Sequence, residues 1–171
     1  AIHRGIGFVP EDRKREGLVT ELSVMDNVVM AKMDNSMNHG LFSIGKAKAL
    51  CRYYIDSLMI KTPSEKQLAK YLSGGNQQKV VLAKWLNCAP DIIVLDEPTR
   101  GIDVNAKREI YNIIVKLAEQ GKSIILISSE MSEIIGLCDR VNIMSEGRIS
   151  GELSREELSQ ERIMKFATGG C

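Results

Sequence analysis

The four cysteines, Cys51, Cys88, Cys138 and Cys171, never fall into the C-x-x-C spacing that grips zinc or a redox couple. No histidine pair lies near them, so a zinc module is excluded. The thiols suit a reducing compartment better than a disulfide scaffold. Cys171, beside Gly169 and Gly170, is expected to be exposed. Long apolar runs are also absent: none approaches the roughly 20 residues a membrane-spanning helix needs. No secretory leader opens the chain. Charge of one sign is missing too, since 23 Lys and Arg stand against 22 Asp and Glu, a formal net charge of +1. The whole-chain field therefore gives nucleic acid little to hold. The basic run Arg13-Lys14-Arg15 is flanked by Glu11, Asp12 and Glu16 and reads as a solvated turn. Internal repeats and low-complexity linkers are absent. What remains is ordinary globular composition, 44% hydrophobic and 26% charged over 171 residues, enough for one domain with a real core.

A complete phosphate-binding loop is also missing. The stretch from Gly40 to Ala47 matches its two glycines and its lysine, but Ala47 replaces the hydroxyl that would ligate magnesium. Polar residues precede it where a buried strand is required, and Lys46 falls inside a helical pattern. It is rejected as a nucleotide site.

The organisation is tripartite. Ile6 to Val9 reads as a strand ended by Pro10 and followed by a charged loop closed at Gly17. Residues 23–70 read as mostly helical; Ala47, Leu50, Tyr54, Ile55 and Leu58 line one helix face over Lys46 to Met59. From residue 71 a β-α-β rhythm begins. The run from Asp91 to Pro98 contains a strand of the kind buried on both faces of a parallel sheet. Asp103 or Asn105 caps a helix that Gly121 ends. A second buried strand from Ser123 follows, parallel to the first. A short helix near Glu133 to Cys138 leads to a strand at Arg140, a turn at Glu146-Gly147 and a further strand. A last helix is opened by the capping box of Ser154 with Glu157.

Two motifs carry chemistry. Ser73-Gly74-Gly75 precedes a helix, where uncovered amides, a hydroxyl and the helix dipole favour an anion. Asp96-Glu97 closes the strand of Ile92 to Leu95, at the sheet edge where open α/β folds bind ligands. Because strand residues alternate in direction, Asp96 suits magnesium through water and Glu97 suits polarising a water for attack on phosphorus. Pro98 biases Glu97 away from helical dihedrals.

In this order and spacing, LSGGNQQKV and IIVLDEPTRGID resemble the signature and Walker B segments of ABC-type ATPases. GIGFVPE resembles the strand entering the Q-loop of that family, and the segment from Ile124 to Ile149 its switch region and terminal strands. VPEDRKREGL and DEPTRGIDVNAK look like the C-terminal nucleotide-binding half of tandem importers for ribose, galactose or xylose. The resemblance implies an α/β, P-loop NTPase-like domain fragment with a parallel core sheet and a helical subdomain. It divides the chain into a Q-loop region (1–22), a helical subdomain (23–70), the signature-to-switch region (71–150) and a C-terminal helix (151–171). Its N-terminal phosphate-loop part is expected to precede Ala1.

By the same resemblance, ATP and Mg2+ are the ligands. Ser73, Gly74, Gly75 and Gln77 contact an ATP held by a second nucleotide-binding domain, Asp103 bridges the two domains, Asp96 serves Mg2+ and Glu97 is catalytic. The Q-loop faces transmembrane permease subunits on the cytoplasmic side of the membrane, with a sugar-binding protein as an indirect partner. Two positions depart from the pattern. Glu11 replaces the Q-loop glutamine, and Ser129 replaces the switch histidine, which no hydroxyl can imitate near neutral pH. Both imply that this half's own ATP site is weak, whereas its signature is intact. The competing readings are an ABC-type ATPase acting on nucleic acid, which would need coiled-coil or zinc modules not found here, and a non-catalytic regulatory domain, against which the intact Asp96-Glu97 pair argues.

Overall fold

The computed structural model describes residues 1–169, so the expectation for Cys171 lies outside the described residues. The chain forms two compact units, residues 1–127 and the segment from Ser128 onward.

In the first unit, β1 (Ile6–Val9) leads into a one-turn π-helix at Arg13–Gly17, whose free amides at Lys14 and Arg15 are taken by the Asp12 carboxylate. Helix α1 (Val24–Val29) opens on a reciprocal cap between Ser23 and Asp26. A small hairpin of β2 (Met37–Asn38) and β3 (Leu41–Phe42) comes next. The helical reading of residues 23–70 did not anticipate it, because two-residue strands carry no readable periodicity. Helix α2 spans Ile44–Ser57, two residues earlier at each end than its apolar spacing suggested, because the Ser43 hydroxyl caps Lys46 N–H. Lys46 donates to Met37 O at 2.8 Å, a structural bond to the hairpin.

Helix α3 (Gly74–Leu86), β4 (Ile92–Asp96), α4 (Val104–Glu119) and β5 (Ser123–Ile127) complete the unit. The core sheet is parallel with order β1-β4-β5; Phe8, Val94 and Ile125 share one register row, and Val9 pairs with Leu95. Val9, Ile93 and Leu95 are fully buried, together with Val80 to Ala83 of α3 and Ile110, Ile113 and Ile114 of α4. The other sheet face is open: Phe8, Ile125 and Ile127 are exposed. The expectation that β4 and β5 are buried on both faces is therefore corrected. Apolar residues occupy both faces, but among the described residues of this unit the buried ones line one side.

Lysine 79 is the largest fully buried side chain. Its ammonium donates to Met59 O and pairs with Glu109 of α4, each at 2.8 Å, tying α3 to α4 and to the segment after α2.

The second unit holds α5 (Met131–Leu137), β6 (Arg140–Ser145), β7 (Arg148–Ser154) and α6 (Gln160–Ala167). The two strands pair antiparallel over a cluster of Val141, Ile143, Leu153 and Ile163. The Ser154–Glu157 capping box forms, but it opens a single 3-10 turn; α6 starts later, capped by Ser159. The C-terminal helix expected over 151–171 is thus shorter, with Gly151 to Ser154 still in β7.

The Lys79 hydrogen bond holds the Glu109 carboxyl below the ordinary carboxylate range. Stability from this pair is therefore complete above the unfolded carboxylate pKa and fades as pH falls through the lowered value. Lys79→Met is expected to cost about 2 kcal/mol, Glu109 being partly solvated, and to flatten the acid limb of stability. Urea unfolding from neutral to acid pH checks this; an unchanged midpoint and acid limb would contradict it.

Candidate functional site

The start of α3 is built around two missing side chains. A Cβ on Gly75 would run into the Cβ of Ala106 in the first turn of α4. One on Gly74 would lie 2.7 Å from Arg13 Nη2 and 3.3 Å from Gly101 O. Glycines therefore let this helix end approach the loop between β4 and α4 directly. Besides uncovering amides, the two glycines meet a second, independent demand, close packing.

Ser73 occupies the N-cap with extended backbone, yet its hydroxyl makes no capping bond. The first amide to bond back is that of Gln77, to Ser73 O at 2.9 Å. Helix geometry leaves the amides of Gly74, Gly75 and Asn76 without an intrahelical acceptor, beside the positive end of the dipole. A hollow of about 180 Å3 opens here, lined by Lys61, Ser73, Gly75, Asn76, Asp103 and Glu109 among others. Its two carboxylates are engaged. Asp103 caps α4 by accepting from Ala106 N at 3.0 Å, a bond that holds its carboxyl below the ordinary range. Glu109 is paired with Lys79 and lies 3.8 Å from the Lys61 ammonium. The remaining donors, a hydroxyl and helix-end amides, fit a phosphate oxygen.

Ser73, Gly75 and Asp103 thus line one hollow, with Gly74 next in the chain. Gln77 does not: it is buried, and its amide donates to Ala69 O at 3.0 Å. The expected place of Gln77 in this patch is corrected, because one residue further along a helix rotates the side chain about 100° inward.

Asp96 ends β4, half-buried and in register with Ile127. Glu97 leaves the strand in a left-handed conformation, φ 43°, its amide donating to Ile127 O at 2.9 Å and its carbonyl accepting from Arg100 N at 3.1 Å. Glu97 therefore lies outside the strand, and the alternation of strand pleating ends at Asp96. A non-glycine residue held at positive φ costs on the order of 1–3 kcal/mol and persists where its surroundings enforce it; Pro98 and Thr99, both buried, follow at once. Among the described residues no cluster of three or more His, Cys, Asp or Glu could hold a metal unaided. Asp96 is a single half-buried carboxylate at the end of β4, the kind of ligand that Mg2+ takes beside its own waters and phosphate oxygens.

Glu11 pairs with Arg100 and lines a shallow hollow of about 510 Å3 with Asp12, Arg13, Lys14 and Arg100. Arg13, read from the sequence as part of a solvated turn, is half-buried. It donates to Arg100 O at 2.9 Å and Gly101 O at 3.2 Å, bracing the loop after β1 against the loop after β4. Nothing in its charged neighbourhood marked it; the signal lies in glycines sixty residues away. Ser129 lies in the second unit, exposed, ahead of α5. There the neighbouring Ser128 hydroxyl donates to the buried Glu133 at 2.6 Å.

Residues 1–100 match the family described as ABC transporter. The chain is 50% identical over 170 residues to the ribose import ATP-binding protein of Lactococcus lactis subsp. cremoris (strain SK11), covering 99% of this chain and 35% of that protein. It is 55% identical over 169 residues to a protein of Geobacillus kaustophilus (strain HTA426) provisionally named for ribose, galactose and methyl galactoside import, covering 99% and 34%. The chain therefore spans about a third of the length of the curated relatives it matches. An ATP-binding cassette solved as a post-hydrolysis dimer with ADP and Pi superposes with a TM-score of 0.73 at 23% identity, over 88% of this chain and 62% of that one. An inward-facing transporter of metal-chelate type gives 0.78 at 17%, over 96% and 64%. These superpositions establish the α/β cassette fold.

Gly75→Ala is expected to destabilise the chain by about 1–3 kcal/mol, since an added methyl must push α3 off α4. Ala106→Gly placed behind it restores part of that loss; equal midpoints for wild type and Gly75→Ala in urea would contradict the packing.

Proposed function

The chain belongs to the ABC transporter family, and from that premise we propose that it forms part of the ATP-hydrolysing subunit of an importer for a simple sugar of the ribose or galactose class. The observation that carries this reading is the start of α3: a serine hydroxyl that caps no backbone amide of its helix, and a glycine pair beside free amides. The names of the relatives, which cover ribose and galactose import, support the sugar class.

In this reading Ser73, Gly74 and Gly75 hold the γ-phosphate of an ATP bound by a second nucleotide-binding lobe, and Asp103, at the rim of the same hollow, meets that lobe. ATP supplies the phosphoanhydride whose hydrolysis drives transport. Asp96 would hold Mg2+ through water, and Glu97, fixed by its turn, would orient a water and accept its proton at the carboxylate. Glu11 brings a charge already paired with Arg100 where an amide is expected, and Ser129 brings no imidazole. This half's own site is accordingly weak and its main contribution is the signature given in trans. The subunit works at the cytoplasmic face of the membrane with permease subunits, fed by a sugar-binding protein. No helix among the described residues is long and apolar enough to cross a membrane.

The test is ATP turnover by the full-length subunit assembled with its permease. Gly74→Asp is expected to remove most turnover, by well over about tenfold, because a side chain and a charge enter the phosphate position, whereas Glu97→Gln lowers it by less than about twofold. The reverse ranking would make this half's own site the working one, and unchanged turnover in both would reject the proposal. The isolated chain is expected to bind Mg-ATP poorly; micromolar affinity by calorimetry would contradict the trans arrangement.

A further inference from the structure

Asn76 stands in the first turn of α3, half-buried, between two partners. Its Oδ1 accepts from the backbone N–H of Lys61 at 2.8 Å, and its Nδ2 donates to Ser73 Oγ at 2.9 Å. The orientation of this amide is not arbitrary. Lys61 N–H can only donate, so the atom facing it must be oxygen, and the NH2 group then has to face Ser73.

The consequence falls on the Ser73 proton. A hydroxyl has one proton and two lone pairs. With Asn76 donating into one lone pair, the O–H cannot point back along that line. The oxygen's other lone pair is not spent on a helix amide either, for Ser73 makes no side-chain cap bond. The hydroxyl is thereby held as an acceptor on its inner side and presented as a donor toward the hollow that it lines with Gly75 and Asp103. Pre-orientation of this kind removes the rotamer and proton disorder that a free serine would have to lose on meeting an anion.

We propose that Asn76 is a positioning residue that sets the Ser73 hydroxyl as a hydrogen-bond donor to a phosphate oxygen. The proposal rests on the phosphate-binding reading of the α3 terminus given above. Asn76 never touches the ligand in this scheme; it acts through Ser73. Its other end is anchored in the segment after α2, which Lys79 also holds through Met59 O. Backbone shifts in residues 59–61 therefore reach the Ser73 hydroxyl through a relay of two hydrogen bonds.

A double-mutant cycle on ATP turnover of the full-length subunit with its permease separates this from a merely structural role. Asn76→Ala is expected to lower turnover by about tenfold when Ser73 is present and by less than about twofold in a Ser73→Ala background, since its whole effect passes through that hydroxyl. Asn76→Asp keeps an acceptor for Lys61 N–H, and with it the tether, while its second oxygen draws the Ser73 proton inward. It is expected to lose more in the Ser73 background than in the Ser73→Ala background. Equal losses in both backgrounds for either variant would overturn the proposal, as would full turnover of Asn76→Ala beside an impaired Ser73→Ala, an outcome that leaves the phosphate reading standing. Full turnover of Ser73→Ala alone would overturn that reading and the role of Asn76 with it.

Discussion

Everything in the first unit converges on the contact between the glycine start of α3 and the loop that joins β4 to α4. That loop begins at Glu97, just after Asp96, and ends at the Asp103 cap and the first turn of α4, so the gap between the two backbones bears on where each of them stands. Gly75 against Ala106 sets the approach, with no room for a methyl. Arg13 braces the rim through Arg100 O and Gly101 O, and Lys79 with Glu109 clamps the far side. Three charged side chains are thus spent on holding a cleft to which the end of α3 offers amides and a hydroxyl.

In the proposed reading, that division of labour serves a surface that meets a polyanion held by a second lobe. Here the helix end presents donors outward, whereas Asp96 and Glu97 sit at the separate edge of the sheet. In the proposed reading, the Ser73 end of α3 is one side of a clamp in which two lobes share each ATP.

Much of this was legible in the sequence because the relevant signals are local. A continuous apolar run followed by Asp-Glu-Pro, a Ser-Gly-Gly ahead of a helical period, and an Asp three residues before Ala106 are all short-range patterns. What escaped depended on distant residues. Arg13 reads as one more charge in a charged turn until Arg100 and Gly101 are folded against it. Gln77 looks like part of the signature until helix rotation turns it onto Ala69 O. The exposed row of Phe8, Ile125 and Ile127 is indistinguishable in sequence from a doubly covered strand, since composition records apolarity and not what covers it. The Glu97 turn lay between: Pro98 pointed to a constrained residue but not to positive φ.

The central claim, that the Ser73 end of α3 closes on the γ-phosphate of an ATP held by another lobe, is tested most directly by vanadate trapping. Irradiating the assembled full-length transporter with Mg-ATP and orthovanadate cleaves the backbone beside the trapped phosphate mimic, and peptide mapping locates the break. Cleavage at Ser73 is the predicted result. Efficient trapping with no break between Leu72 and Asn76 would contradict the account.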